Sequence, residues 1–232
     1  MVAQTKKNRK KRAAAPKLTS HRIRPHIKEE KRLAADGFCL TAGLDEVGRG
    51  CLAGPVVASA IILPVKRPHW LKQVKDSKFL APKRREELCE RLLAIAVACG
   101  TGMASAQEID GLGMTAAVRL AMMRALEQLS PQADSLLIDH FKLPESPLPQ
   151  WGVVNGDTLC RSIAAASIVA KVSRDRLMTE LDNRYPGYGL ANHKGYATRE
   201  HRDAIARLGL CEIHRRSFCQ SLSLPAGPDD EE

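Results

Sequence analysis

Apolar positions recur along this chain in two rhythms, and their order predicts strands and helices in turn. A first strand is predicted over 39–45, and a second over 56–63, where Val, Ala and Ile form a nearly continuous apolar run. Pro64 and Pro68 mark a loop, and Pro82 suits the first turn of a helix whose Leu88, Leu92 and Leu93 share a face. Gly100 and Gly102 interrupt the pattern, with a strand expected over 101–106. A turn at 109–113 precedes a helix over 114–129, whose broad apolar face includes Ala117, Ala121, Met122 and Ala125. Met122 and Met123 read as packing residues. A compact strand at 135–139 ends on Asp139, and three prolines between 143 and 149 form a loop. Residues 151–154 suggest a short strand, 155–158 a turn, and 159–182 a long helix rich in small residues. Lys171, Arg174, Asp175 and Arg176 fall where that helix is expected to become exposed. Tyr185-Pro186-Gly187-Tyr188-Gly189 stops it, and 200–208 is a last amphipathic helix. This order predicts an α/β domain, a mixed sheet covered by helices, with no internal repeat.

Charge changes the picture at the N-terminus. The formal net charge is +10, yet residues 1–32 carry 12 Lys or Arg against two Glu, and 24 of each sign remain over 33–232. The expected organisation is a basic arm over 1–32 without a hydrophobic period, disordered over 1–20, a domain over 33–219 and a loose acidic tail over 220–232. A few residues before Leu33 can form a short helix leading into the fold. Such an arm suits a polyanion partner, or merely aids solubility. Seven cysteines without Cys-x-x-Cys spacing read as free thiols in a reducing compartment, the cytoplasm. No apolar run reaches 18 residues, and the basic N-terminus has no apolar segment behind it. Neither a membrane span nor a signal peptide is supported.

The candidate chemistry centres on residues 41–57. Asp45 and Glu46 end an apolar run, and Gly48-Arg49-Gly50 follow at once. Neighbours in a strand face opposite ways, so both acids serve one site only if the strand bends or ends there. The alternative is a hairpin with an irregular turn. Asp139 closes a strand, either as a site residue or as an exposed strand end. Asp157 precedes the long helix, either as a site residue or as its N-cap. Four carboxylates at element ends repel one another if they meet, and a hard oxygen-binding divalent ion removes that cost. Two ions could activate water and stabilise the leaving oxygen of a phosphodiester. His140, His193, His201 and His214 are dispersed and give no zinc spacing. Lys75 and Lys78 flank Asp76-Ser77, Lys171 and Arg174 follow Asp157, and His193-Lys194-Gly195-Tyr196 forms a basic and aromatic loop. Each reads singly as solvated surface; their recurrence beside the acids favours a cleft for a nucleic-acid backbone.

With these residues in view, the chain resembles ribonuclease HII over roughly 33–218. The resemblance rests on Gly43-Leu44-Asp45-Glu46-Val47-Gly48-Arg49-Gly50, Asp76-Ser77-Lys78, Ile138-Asp139, and Asp157 followed by the run from Ser162 to Asp175. It continues in Tyr185-Pro186-Gly187-Tyr188-Gly189, His193-Lys194-Gly195-Tyr196 and His214-Arg215-Arg216-Ser217-Phe218. It implies an RNase H-like mixed five-stranded sheet with a C-terminal helical portion. It implies cleavage of RNA in RNA–DNA hybrids and incision 5′ to a single ribonucleotide in duplex DNA, as in ribonucleotide repair and replication. Asp45, Glu46, Asp139 and Asp157 would be the catalytic and metal-binding quartet, with Mg²⁺ or Mn²⁺, two ions in the substrate complex. Gly48, Arg49, Gly50, Lys78, Lys171 and Tyr196 would bind substrate, Tyr196 at the deoxyribose after the ribonucleotide. The family's usual second Lys and Leu-Ser is replaced by Phe79-Leu80-Ala81, and a common Asn by Gly113.

Two other classes remain. A transposase-, resolvase- or integrase-like nuclease would use similar acids but ignore the 2′-OH. A non-catalytic hybrid-binding protein would not need them. Gln220-Ser221-Leu222-Ser223-Leu224 loosely resembles a sliding-clamp-binding peptide. A monomer is expected.

Overall fold

The structure, a computed structural model, describes residues 24–220 and 222. Most of the N-terminal arm, and most of the tail with its clamp-like peptide, lie outside the described residues. Helix α1 (Lys28–Ala35) leads into β1 (Thr41–Val47), which turns back as β2 (Val56–Ile62). Two short 3-10 turns, His69–Gln73 and Ser77–Phe79, precede α2 (Pro82–Ile95) and β3 (Ala98–Ala104). Then come α3 (Ala106–Leu112), α4 (Met114–Glu127), β4 (Ser135–Asp139), β5 (Gln150–Val153), α5 (Gly156–Leu159) and α6 (Arg161–Arg184). The chain closes with α7 (Leu190–His193), α8 (Arg199–Leu208) and α9 (Arg216–Cys219).

The sheet runs β3-β2-β1-β4-β5. β1, β2 and β3 pair antiparallel, while β4 joins β1, and β5 joins β4, in parallel. Alternation sorts the side chains. Ala42, Leu44, Val56, Ala58, Ala60 and Ile62 form one core with Ala117, Ala121, Met122 and Ala125 of α4. Ile61 takes the other face, with Leu88 and Leu92 of α2 and Ala164, Ala165 and Ile168 of α6. Five strands between two helical layers therefore realise the expected mixed α/β sheet.

Several local expectations change. Gly100 and Gly102 lie within β3 instead of interrupting it. A Cβ on Gly102 would stand 2.2 Å from the Ala121 carbonyl oxygen, and one on Gly100 2.1 Å from that of Ala125. Glycine here is the condition for α4 to lie on the strand. The predicted turn at 109–113 is mostly helix, because Ser105 and Glu108 form a reciprocal capping box at the start of α3. Gly113, at φ +78°, makes the break to α4.

The boundary of the arm also moves. Leu33 is fully buried, and Glu30 Oε1 accepts from the Ser162 backbone N–H and hydroxyl, both at 2.9 Å. His26 donates its N–H to the Leu159 carbonyl and accepts from the Arg161 N–H. Residues 26–35 thus belong to the fold and grip the α5–α6 junction. All seven cysteines are free thiols. Among the described residues, no helix is long and apolar enough to cross a membrane.

Candidate active site

β1 ends at Val47, and its pairing with β4 stops at Leu44 opposite Ile138. Asp45 and Asp139 therefore emerge side by side from adjacent parallel strands. Strand ends of such sheets are places where sites form. Asp45 takes the α6 face, where Ser167 hydrogen-bonds it. Ser167 also meets the Ser77 hydroxyl at 2.9 Å. Glu46 takes the opposite pleat, beside Arg49 at 3.4 Å. It still lies within electrostatic reach of Asp45 and Asp139, although β1 runs on through it to Val47, paired with β2 alone.

Asp157 arrives from α5. The N-cap expectation fails: Asn155 precedes α5, Cys160 precedes α6, and Asp157 caps neither. The chain instead breaks at Cys160, which lets α5 turn Asp157 inward, buried, towards Lys78. Asp139 Oδ1 accepts the Gly156 N–H at 2.6 Å, which ties β4 to the same turn. A Cβ on Gly156 would lie 2.5 Å from Ile163 Cδ1, whose side-chain end would have to shift, and 3.2 Å from Asp139 Oδ1.

Electrostatics record the crowding. Burial, then Glu46 and Asp139, push the Asp45 carboxyl well above its usual range. Burial raises Glu46 despite Arg49, and Asp139 adds to it. Asp139 is raised by burial and by Asp157, and Asp76 likewise by burial and Asp157. Burial works against the charge on Lys78, yet Asp76, Asp157 and Asp45 outweigh it and hold its pKa high. The four acids named from sequence thus share one electrostatic site, joined by Asp76, which belongs to the Asp76-Ser77-Lys78 motif but was not among the expected site residues.

Glu46 Oε2 is buried without a hydrogen-bond partner. Among the described residues, no three His, Cys, Asp or Glu groups form a ready-made ion cage. An open, oxygen-only donor set with an orphaned carboxylate oxygen fits a hard divalent ion that keeps waters or takes further ligands from a phosphate. It does not fit zinc.

The loop after β1 stands beside this site. Gly48 has φ +95°, and a Cβ there would lie 2.3 Å from Arg174 Nε. At Gly50 a Cβ would meet nothing within 4 Å, so its surroundings are open. Leu52 donates its N–H to the Gly195 carbonyl at 2.8 Å, and Cys51 bridges to Tyr196. The glycine loop and the Tyr196 loop are therefore one unit. Tyr196 is 39% exposed, with the Lys171 ammonium 5.8 Å from its ring centre. Lys171 is also held by Asp175 at 2.6 Å.

Two expectations here are corrected. Arg174 is fully buried rather than exposed, because its guanidinium serves backbone carbonyls inside the fold. His193, His201 and His214 are gathered: His193 stacks on His201 at 4.3 Å, and His201 Nε2 meets His214 Nε2 at 3.2 Å. The turn through Gly195 and helix α8 bring them together, which no spacing announces. Glu30, Ser167 and Arg215 were also missed as support; only the motifs containing the latter two drew notice.

Residues 42–221 match the family profile of ribonuclease HII. A ribonuclease HII from Dehalococcoides mccartyi is 55% identical over 197 residues, which is 84% of this chain and 93% of that one. The ribonuclease H2 structure from Pyrococcus horikoshii aligns with a TM-score of 0.66 and 25% identity, over 80% of this chain and 97% of that one. The ribonuclease HII of Archaeoglobus fulgidus, solved as a complex with PCNA, gives the same TM-score and identity over 83% of this chain and 100% of its own. This chain belongs to the ribonuclease HII family; it is a nuclease with the RNase H-like fold.

Proposed function

We propose that this nuclease cuts the RNA strand of RNA–DNA hybrids and incises on the 5′ side of a single ribonucleotide in duplex DNA, leaving 5′-phosphate and 3′-hydroxyl ends. The carrying observation is the meeting of four carboxylates beside a glycine loop and an exposed tyrosine. Asp45, Glu46, Asp139 and Asp157 would hold Mg²⁺ or Mn²⁺, two ions when substrate is bound. Bound divalent ions acidify water and offset charge on a departing oxygen.

The chain's own residues orient the substrate. Asp45, fixed by Ser167, and Asp139, fixed by the Gly156 N–H, present oxygens from rigid strand ends. Lys78, largely exposed, can meet a phosphate without leaving the acids. The open space at Gly50 admits a sugar to the backbone, where an N–H or carbonyl can engage the 2′-OH that DNA lacks. Arg49 and Lys171 supply phosphate contacts on either side. The Tyr196 ring would lie against the following deoxyribose, where a 2′-OH would crowd it.

Defined duplexes incubated with Mg²⁺ or Mn²⁺ test this: all-DNA, continuous hybrid, and DNA with one embedded ribonucleotide. Cuts in the hybrid and 5′ to the ribonucleotide are expected, with all-DNA intact. Cleavage of all-DNA would favour a transposase-like nuclease, and binding without any cleavage a non-catalytic reader.

A sliding clamp is a second proposed partner, through the peptide at 220–224. Its support is that peptide and the relative from Archaeoglobus fulgidus solved with PCNA. A synthetic tail peptide that fails to bind the clamp would end this reading.

A further inference from the structure

Arg174 and Arg215 head the fully buried side chains in size among the described residues. Neither makes an ion pair within 4 Å there. Each spends its guanidinium on backbone carbonyls. Arg174 donates from Nε to Pro55 at 2.9 Å, from Nη2 to Ala53 at 3.1 Å and from Nη1 to Lys194 at 2.8 Å. Arg215 donates from Nε and Nη2 to Gly54 at 3.0 and 2.8 Å, and from Nη1 to Arg49 at 2.9 Å.

These contacts all fall on two segments, residues 49–55 and the loop at Lys194. Gly48 lies against the Arg174 guanidinium, and the same group sits 5.9 Å from the Tyr196 ring centre. Burying a cation without an anion is costly, and apolar packing would usually serve stability as well. Burial depresses the Arg215 pKa to about 10, and Arg174 adds to that. Asp110, the acid felt by Arg215, is already engaged by the Arg216 and Ser217 N–H groups. Two positive charges therefore lie beneath one backbone segment, and among the described residues no carboxylate pairs with either directly.

We infer that Arg174 and Arg215 are positioning residues for substrate. They lock the glycine loop to the Tyr196 loop and project positive potential through it, so that the phosphodiester next to the ribonucleotide supplies the missing counter-charge. This rests on the proposal that the glycine loop contacts the ribonucleotide.

Arg174→Lys and Arg215→Lys keep the charge and lose the fork; Arg174→Met loses both. On the single-ribonucleotide duplex, Arg174→Met should raise KM by about tenfold or more with kcat within about threefold, and the Lys variants should fall between it and wild type. Folded variants with unchanged KM would overturn the inference. If the variants unfold, the wild type decides: its protected arginine Nε–H resonances should shift when the single-ribonucleotide duplex is added without metal, and not with all-DNA. No shift overturns the inference too. A wild type that cuts all-DNA equally well would instead sink the underlying reading of the loop, whatever the variants do.

Discussion

The Lys78 ammonium stands 3.4 Å from the Asp157 carboxylate, across 79 residues of sequence. The 3-10 turn at 77–79 and the short helix α5 meet only because both pack against α6. The lysine side chain is 76% exposed, so the pair contributes little to stability. Its effect is to keep a cation at the mouth of an acidic site. Asp157→Asn would retain the shape and the Lys78 contact while removing a metal-holding charge. Cleavage of every substrate should fall by about 100-fold or more, roughly 2.7 kcal/mol of barrier, with hybrid binding retained. Steady-state kinetics beside equilibrium binding check this, and unchanged kcat would remove Asp157 from the quartet.

Tyr196 carries a different expectation, because its ring and not its hydroxyl would face the sugar. Tyr196→Phe should keep most activity. Tyr196→Ala should lose about tenfold or more in kcat/KM on a single embedded ribonucleotide, and less on continuous hybrid. Equal values for Tyr196→Ala and wild type on both duplexes would show that the junction is read elsewhere.

Gly102→Ala tests the fold rather than the site. The added carbon would lie 2.2 Å from the Ala121 oxygen and 2.5 Å from the Ala125 nitrogen, both backbone atoms of α4. Neither can rotate away, so α4 must lift from β3. A loss of about 3 kcal/mol is expected, at the upper end for overpacking. Urea denaturation measures it, and a change below about 0.5 kcal/mol, the usual range of surface substitutions, would contradict the contact.

The three histidines form one consistent set of neutral tautomers. His193 Nδ1 accepts the Gly195 N–H, His201 Nδ1 donates to the Tyr196 carbonyl, and His214 Nδ1 accepts the Cys211 N–H. That leaves His214 Nε2–H to donate to His201 Nε2. Burial depresses His201 and His214 from 6.5 to about 4. Because the folded values lie below the unfolded ones, the unfolded chain takes up protons first. Their stabilisation is complete above pH 6.5 and is lost as pH falls towards 4. Asp45, Glu46 and Asp139, whose pKa values are raised, act in the opposite sense as pH falls. Stability against pH should therefore be compared between wild type and His201→Asn. The variant should lose less stability between pH 6.5 and 4; parallel curves would exclude the histidine contribution.

Residues 1–23 carry eight Lys or Arg and no acid. Each duplex phosphate they neutralise adds ~0.9 to the salt slope of binding. Deleting them should weaken duplex binding and flatten that slope, with the position of the cut unchanged. Identical slopes before and after deletion would leave the arm without this role.

The apolar rhythm was enough to place all five strands within a few residues: β1 to β4 bury continuous or alternating sets of positions, while β5, at the sheet edge, is only partly buried. It also placed the four carboxylates at the ends of elements, where Asp45 and Asp139 indeed emerge from neighbouring strands. Local rules misled where a contact distant in sequence competed with them. Asp157 looked like a cap until the break at Cys160 turned it inward. Gly100 and Gly102 looked like breakers until α4 covered them. Glu30 belonged by charge to the arm, yet its carboxylate is held by Ser162, 132 residues away.

The sequence by itself determined the strand and helix order, the excess of charge at the N-terminus and the family motifs in their order. Those are properties of composition and period, carried by neighbours along the chain. Only the tertiary structure decided that Arg174 and Arg215 lie buried beneath the glycine loop, and that three scattered histidines meet behind Tyr196. A guanidinium looks the same in sequence whether water or three backbone carbonyl contacts receive it. What separates the two cases is long-range packing, which removes the water and leaves the carbonyls of Arg49, Ala53, Gly54, Pro55 and Lys194 as the acceptors.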